Sequence, residues 1–370
     1  MTLRIATFNV ENLMARFDFS GFTNERYRDR TIAMMKVESE SQYRDLERSR
    51  VIAHADDTRQ MTALAIADTF ADIICLQEVE NLHALEAFEY GYLYKMTGKG
   101  YRQKFLIEGN DSRGIDVAVM AQERTASGEE IEFIKATSHA KLTYEDLDIY
   151  NSALEEVGEK KHEKIFRRDC LEIDFKIGGR PLTLYVSHFK SMGTYKRNVV
   201  GRDYTMPVRQ AEAAGIRKII ERRFGKGKTA NKRWLICGDL NDYSSRLVIS
   251  GDRQKGFEFD NVKSEHSGVD PLLDGDFCVN LMERRPDDNQ WTLFHSRGLD
   301  ERHLCQLDYI LASPSLARLN ANAKPEIIRS GQPWRTPFPK GQEVERYPRT
   351  GWDRPKASDH CPVVVSLDMV

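Results

Sequence analysis

Short runs of alternating or continuous apolar residues recur along the whole chain, and most are bounded by turn-forming residues. Residues 4–10, 72–76, 102–107, 115–120 and 131–136 have this character. So do residues 170–177, 182–188, 233–237, 306–311 and 362–367. Period-two alternation rich in Ile, Val, Tyr and Phe predicts β-strands. Gly178-Gly179-Arg180-Pro181 joins two of these runs and predicts a hairpin turn. Between the runs, residues 57–70 carry Met61, Leu64, Ala65 and Ile66 at helical spacing, and residues 82–90 and 208–224 read the same way.

Three stretches break the pattern. Residues 20–56 are highly charged and predict helix. Residues 138–166 are charged with no strand period. Residues 320–357, rich in Pro, Gly and Arg, predict a long loop. No repeat and no linker-like change in composition divides the chain. The expectation is one α/β domain over residues 1–370, with two sheets packed face to face, helices outside and charged insertions.

Composition narrows the function classes. The 370 residues include 40% hydrophobic and 30% charged residues, which is ample for a core. With 57 acids against 55 bases the net charge is −2, so no global field draws the chain to nucleic acid or anionic membrane. Polyanion binding would have to come from local patches such as Arg197, Arg202 and Arg209. No apolar stretch is long enough to span a membrane. Met1-Thr2-Leu3-Arg4-Ile5 runs straight into a strand without a leader, which predicts a cytoplasmic protein. The six cysteines form no C-x-x-C pair, arguing against a zinc ribbon, and read as small buried hydrophobes. Oligomeric state is left open.

Polar residues collect where predicted strands end, and catalytic side chains need that kind of rigid placement. In Thr7-Phe8-Asn9-Val10-Glu11-Asn12, strand alternation puts Asn9 and Glu11 on one side, an amide and a carboxylate suited to Mg²⁺. Taken alone, the segment also fits polar residues leaving a strand for a loop. Four apolar residues before Gln77-Glu78 imply a buried strand, and a glutamate there is costly unless paired or metal-bound. The alternative is an acid at a helix start. His188 ends another strand, followed by Lys190. It fits a phosphate donor or a structural histidine. In Cys237-Gly238-Asp239-Leu240-Asn241-Asp242, Gly238 permits a tight bend, after which a carboxylate to hold water and an amide to stabilise an oxyanion stand two apart. Asp308, in Gln306-Leu307-Asp308, is a candidate partner to fix the tautomer of His360, in Ser358-Asp359-His360-Cys361. Asp359 also fits a turn residue before the last strand.

Taken in order, these six segments resemble the endonuclease/exonuclease/phosphatase superfamily. Its members include pancreatic-type deoxyribonucleases, abasic-site endonucleases, neutral sphingomyelinases and inositol polyphosphate 5-phosphatases. The matching blocks run from Asn9 to His360. The resemblance implies a four-layered α/β sandwich of two mixed sheets flanked by helices. It implies Glu78 as principal ligand of Mg²⁺ or Mn²⁺, with Asn9, Glu11 and Asp359 nearby. Many relatives carry aspartate in place of Glu11. Asp239 then orients and activates water, Asn241 donates to a phosphate oxygen, His188 contacts the scissile phosphate, and Asp308 orients His360. Residues 109–119 resemble a stretch of bacterial nuclease-like members, in which Arg113 is placed to reach a phosphate or simply to enter a strand.

The implied activity is metal-dependent phosphoester hydrolysis, with a phosphodiester as expected substrate and nucleic acid among the candidates. Lys190, Lys196, Arg197, Arg202 and Arg209 would track a backbone, and Tyr195 and Tyr204 would stack on bases. A solvated surface loop is the plainer account of that run. The rivals are a phosphomonoesterase or a headgroup hydrolase of inositol phosphate or sphingomyelin type, for which Trp334, Pro337, Phe338 and Trp352 would supply apolar loops, and a non-catalytic binding protein on the same scaffold. A zinc hydrolase lacks clustered His and Cys ligands.

Overall fold

A computed structural model of the chain describes residues 1–13, 39–297 and 301–369. The expected strands form, and they build two six-stranded sheets. The first contains β1 (Thr2–Leu13), β2 (Ile73–Val79), β3 (Gln103–Leu106), β4 (Asp116–Ala121), β15 (Glu326–Ile327) and β16 (Val363–Asp368), in the order β15-β16-β1-β2-β4-β3. The second contains β5 (Ile131–Ser138), β6 (Cys170–Ile177), β7 (Arg180–His188), β8 (Trp234–Asp239), β11 (Val279–Asn280) and β14 (Asp308–Ala312), in the order β11-β14-β8-β7-β6-β5. The β6–β7 hairpin turns through Gly178 and Gly179, at φ 53° and 81°, the left-handed pair that a two-residue turn demands.

Alternation along the strands explains the layers. One face of each sheet contributes to a shared core: Ile5, Cys75, Val119 and Val365 from the first, and Ile173, Leu184, Cys237 and Ile310 from the second. The opposite faces bury Phe8, Ile74, Leu76 and Met120 under α1 (Glu40–Thr69) and α2 (Leu82–Phe88), and Tyr185, Trp234 and Ile236 under α3 (Gly201–Phe224). The expected four-layered sandwich is therefore present. All six cysteines are buried and free.

Each sheet has one parallel pair at its centre, β1 with β2 and β7 with β8. A parallel pair needs a crossover, and α1 and α3 are those crossovers. The consequence is positional, because the carboxyl ends of β1, β2, β7 and β8 carry Asn9, Glu78, His188 and Asp239.

Several expectations need revision. The helix expected over residues 57–70 is the second half of a 30-residue helix starting at Glu40. Residues 14–38, part of the charged stretch, lie outside the described residues. Residues 138–166 hold a short helix, Ser152–Glu156. Between Asn241 and Asp308 stands a four-stranded sheet that was not anticipated: β9 (Ser245–Asp252), β10 (Gly256–Lys263), β12 (Leu293–Arg297) and β13 (Glu301–Cys305), ordered β10-β9-β13-β12. Phe257 and Phe259 of β10 alternate with Glu258 and Asp260 and pack on Leu247, Ile249, Trp291 and Leu304. Among the described residues no helix is long and apolar enough to cross a membrane.

Candidate active site

The two parallel pairs deliver their polar ends to one place. His188 is in register with Asp239 across β7 and β8, and Asp308 opens β14 opposite Asp239. Gly238, at φ 153°, lets β8 pass close to β7, where a Cβ would collide with the Ser187 carbonyl oxygen. Glu78 (φ 67°) and Asn241 (φ 51°) occupy left-handed backbone, and the β2–β4 register shifts at Gln77/Val79. Such positions are costly for residues with a Cβ and collect at functional sites.

Asp239 is the hub. Its Oδ1 accepts the Asn241 backbone N–H at 2.9 Å. Its Oδ2 accepts from the Asn9 and Asn241 amides at 3.0 and 3.2 Å, and lies 3.3 Å from His188 Nε2 and 3.7 Å from His360 Nε2. Burial pushes this carboxyl upward, but the two imidazoles and the Asn9 amide outweigh burial and hold it below the usual carboxylate range. The second Asn241 N–H donates to the Phe189 carbonyl at 3.1 Å, so the Asn241 amide is committed to holding Asp239 in place.

His360 is clamped. Its Nδ1 donates to Asp308 Oδ2 at 2.8 Å, and Asp308 is fully buried. Burial disfavours the imidazolium, yet Asp308 and Asp239 together raise its pKa well above the ordinary value. The two carboxylates thus favour the imidazolium, and the Nδ1 bond to Asp308 leaves Nε2 turned to the cleft. Two hydroxyls, to which the sequence reading gave no role, hold this arrangement. Ser358 Oγ accepts the His360 backbone N–H at 3.0 Å and donates to the Asn9 carbonyl at 2.7 Å. Thr292 Oγ1 accepts the N–H groups of Leu307 and Asp308 at 3.0 and 3.2 Å. Ser358 stood in view inside its motif, whereas Thr292 lies 16 residues from Asp308 with no local signal.

Asn9, His188, Asp239, Asn241 and His360 line a cleft of about 1200 Å³ that also receives Glu78, Asp359, Arg113 and Lys190, while Asp308, Ser358 and Thr292 stand behind it. Arg113 is gripped by Asp111, which also pairs with buried Arg168 at 2.8 Å. Lys190 Nζ donates to the Ser191 and Gly193 carbonyls, both at 2.8 Å.

Glu11 is placed differently from the strand-based expectation. The β1–β2 register shifts after Asn9, and Glu11 has φ 49°, so alternation no longer puts the two side chains on one side. Its carboxylate is taken by Arg354 and, at 3.1 Å, by Lys356. Burial and the Asp359 charge push the Glu11 carboxyl upward against those two cations. Arg202 and Arg209 are also not surface cations: both bind Asp242, at 2.7 and 2.8 Å, and Arg209 is fully buried. Tyr204 donates to the Val157 carbonyl, while Tyr195 is fully exposed at the cleft.

Among the described residues no three His, Cys, Asp or Glu side chains form a metal cage. Mg²⁺ asks for less, since one or two carboxylates with substrate oxygens and water suffice. Glu78 receives a single hydrogen bond among the described residues, from the Asn12 N–H to Oε2 at 3.0 Å, which leaves Oε1 open. Asp359 and Asn9 line the same cleft, and carboxylate and amide oxygens are the donor types that suit Mg²⁺ or Mn²⁺.

Residues 6–360 match the model of the Endonuclease/Exonuclease/phosphatase family. Among solved structures, truncated Caenorhabditis elegans TDP2 is similar over 99% of this chain and 98% of its own, at 13% identity and TM-score 0.50. A Bacteroides thetaiotaomicron endonuclease/exonuclease/phosphatase family protein aligns over 100% and 96%, at 15% identity and TM-score 0.52. The human Nocturnin catalytic domain with bound sulfate aligns over 99% and 94%, at 12% identity and TM-score 0.50. At these identities the likeness speaks for the fold. No curated protein matches the chain.

Proposed function

The chain belongs to the endonuclease/exonuclease/phosphatase family, and from that premise we propose that it is a divalent-metal-dependent phosphodiesterase that attacks phosphorus with water in line. The observation that carries this reading is His360, a buried imidazolium fixed by Asp308, whose Nε2 lies 3.7 Å from Asp239, beyond hydrogen-bonding reach. That N–H is free to donate to a phosphate oxygen.

A carboxylate has about four lone-pair sites, and among the described residues Asp239 Oδ1 accepts only the Asn241 N–H. The remaining site on Oδ1 receives the attacking water. The depressed pKa of Asp239 makes it a weak base, so it aligns water more than it strips a proton. His360 donates to an equatorial oxygen as charge accumulates there, which is worth more in the transition state than on bound substrate, while His188, 3.3 Å from Asp239, holds that carboxylate in place. Glu78, with Asp359 and Asn9, would hold Mg²⁺ or Mn²⁺. When bound, the metal polarises the phosphate and offsets its developing charge. Arg113 and Lys190 bind substrate oxygens from the cleft wall. A diester is favoured over a monoester because the cleft is much larger than the reacting centre, with Tyr195 among the further residues that line it.

The test is hydrolysis of bis(p-nitrophenyl) phosphate with Mg²⁺ or Mn²⁺. Activity should vanish in EDTA and fall roughly 10²-fold or more in His360→Ala. Near-normal turnover by that variant would overturn the assignment.

A further inference from the structure

The four-stranded sheet inserted between Asn241 and Asp308 is tied directly to the reacting centre. Leu293 of β12 forms an antiparallel bridge with His360, and the Cys361 N–H donates to the Thr292 carbonyl at 2.7 Å. The pleat puts Leu293 and His295 on one face, about 7 Å apart. His303 of β13 stands opposite His295, stacked at 4.8 Å, and Arg246 of β9 stands opposite Cys305 on that face. Arg246, His295 and His303 all line the cleft.

Two features of this face are unexplained by the fold. His303 is 5% exposed, and its Nε2 is buried without a hydrogen-bond partner among the described residues. A buried nitrogen left in that condition costs free energy that a ligand would recover. Arg246 has five N–H donors, and among the described residues its side chain engages only the Tyr243 hydroxyl, at 3.2 Å, and no carboxylate. Its neighbour Arg202 is spent on Asp242. Glu301 shares the face but lies against His295 at 3.5 Å. Burial drives the His303 pKa down to about 3, and the charges of His295, Arg246 and Arg202 push the same way. A neutral imidazole beside Arg246, which meets no carboxylate among the described residues, suits an anion, to which it donates one N–H.

We propose that Arg246 and His303 form a second phosphate site, which holds a non-scissile phosphate of the substrate while the first lies at His360. The ligand is a phosphate group on a molecule bearing at least two, either the next diester of an oligonucleotide strand or a monoester of a polyphosphorylated small molecule. The proposal takes its ligand class from the phosphoesterase reading.

Binding is measured in EDTA, by fluorescence anisotropy of a short fluorescein-labelled single-stranded oligodeoxynucleotide and, separately, by calorimetry with inositol hexakisphosphate. Arg246→Gln and His303→Gln should each weaken one of these probes about tenfold, and the probe affected identifies the source of the phosphate. If the probe is the oligonucleotide, Arg246→Gln should also lower the salt slope by about 0.7. Bis(p-nitrophenyl) phosphate has one phosphate, so Arg246→Gln should hydrolyse it at the native rate. Equal binding of both probes by native protein and Arg246→Gln would overturn the second site. So would loss of bis(p-nitrophenyl) phosphate turnover in step with probe binding. Native protein inert toward that diester counts against the proposed function alone, since the binding arms need no turnover.

Discussion

Asp239 and Asp242 are three residues apart on one segment, both buried, yet they face different surroundings. Asp242 has every lone pair occupied: Oδ1 by Arg202 Nε at 2.7 Å and the Tyr243 N–H at 2.9 Å, and Oδ2 by Arg209 Nε at 2.8 Å and the Gly268 N–H at 3.0 Å. Asp239 is surrounded by amides and imidazoles in place of arginines, and among the described residues its Oδ1 keeps room for one more donor. The difference teaches that burial and charge do not by themselves mark a catalytic carboxylate. Residual hydrogen-bonding capacity toward a cleft does.

The sharpest way to break the comparison is to remove each charge in turn. Asp242→Ala removes the hydrogen-bonded counter-charge of buried Arg209 and of largely buried Arg202, which keeps only a 3.9 Å contact with exposed Asp203, and breaking a buried pair costs about 3–5 kcal/mol. Urea unfolding should register that loss. A change below about 1 kcal/mol would mean the arginines are solvated, and Asp242 would lose its structural role. Asp239→Asn is nearly isosteric and should do the reverse. Turnover of bis(p-nitrophenyl) phosphate should drop about 10²–10³-fold, while the unfolding midpoint shifts less than in Asp242→Ala. If unfolding is hit harder than turnover, the division of labour between the two aspartates is wrong.

The same pair shows what could be read in the chain beforehand. Asp239 was legible because an apolar run, a glycine and two polar residues at spacing two announce a strand end. The partners of Asp242 were not, since Arg202 and Arg209 lie 40 and 33 residues away and look like part of a solvated basic run. Their pairing is a tertiary event with no local trace. Glu11 was misplaced for a related reason: alternation holds only while the pleat continues, and the backbone turns left-handed at Glu11. The inserted sheet went unseen because its strands are half-exposed and interleave charges with apolar residues, as in Phe257-Glu258-Phe259-Asp260, a weaker pattern than the continuous apolar runs of the central strands. The two central sheets, buried on both faces, were the most readable part of the fold.

Lys190 lies between the two regions and gives the smallest but most specific test. Its N–H donates to buried Glu212 at 2.7 Å, while its side chain faces the cleft. Burial lowers its pKa to about 8, helped by Arg168, Arg209 and Arg167 and opposed by Glu212. Below that pH the side chain is an ammonium that attracts an anionic diester. Above it the charge is lost and binding weakens. KM should therefore rise several-fold between pH 7 and pH 9, beyond any change in kcat, since one charge-assisted hydrogen bond is worth about 1.5–3 kcal/mol and part of it survives as a neutral contact. Arginine stays charged throughout this range, so Lys190→Arg should flatten the rise in KM while leaving the rest of the pH profile in place. Superimposable KM profiles for the two proteins would remove Lys190 from substrate binding and leave it as a neighbour of the buried arginines. A flattened profile would show that the charge on Lys190, which burial and the neighbouring Arg168 make easy to lose, is what holds the diester.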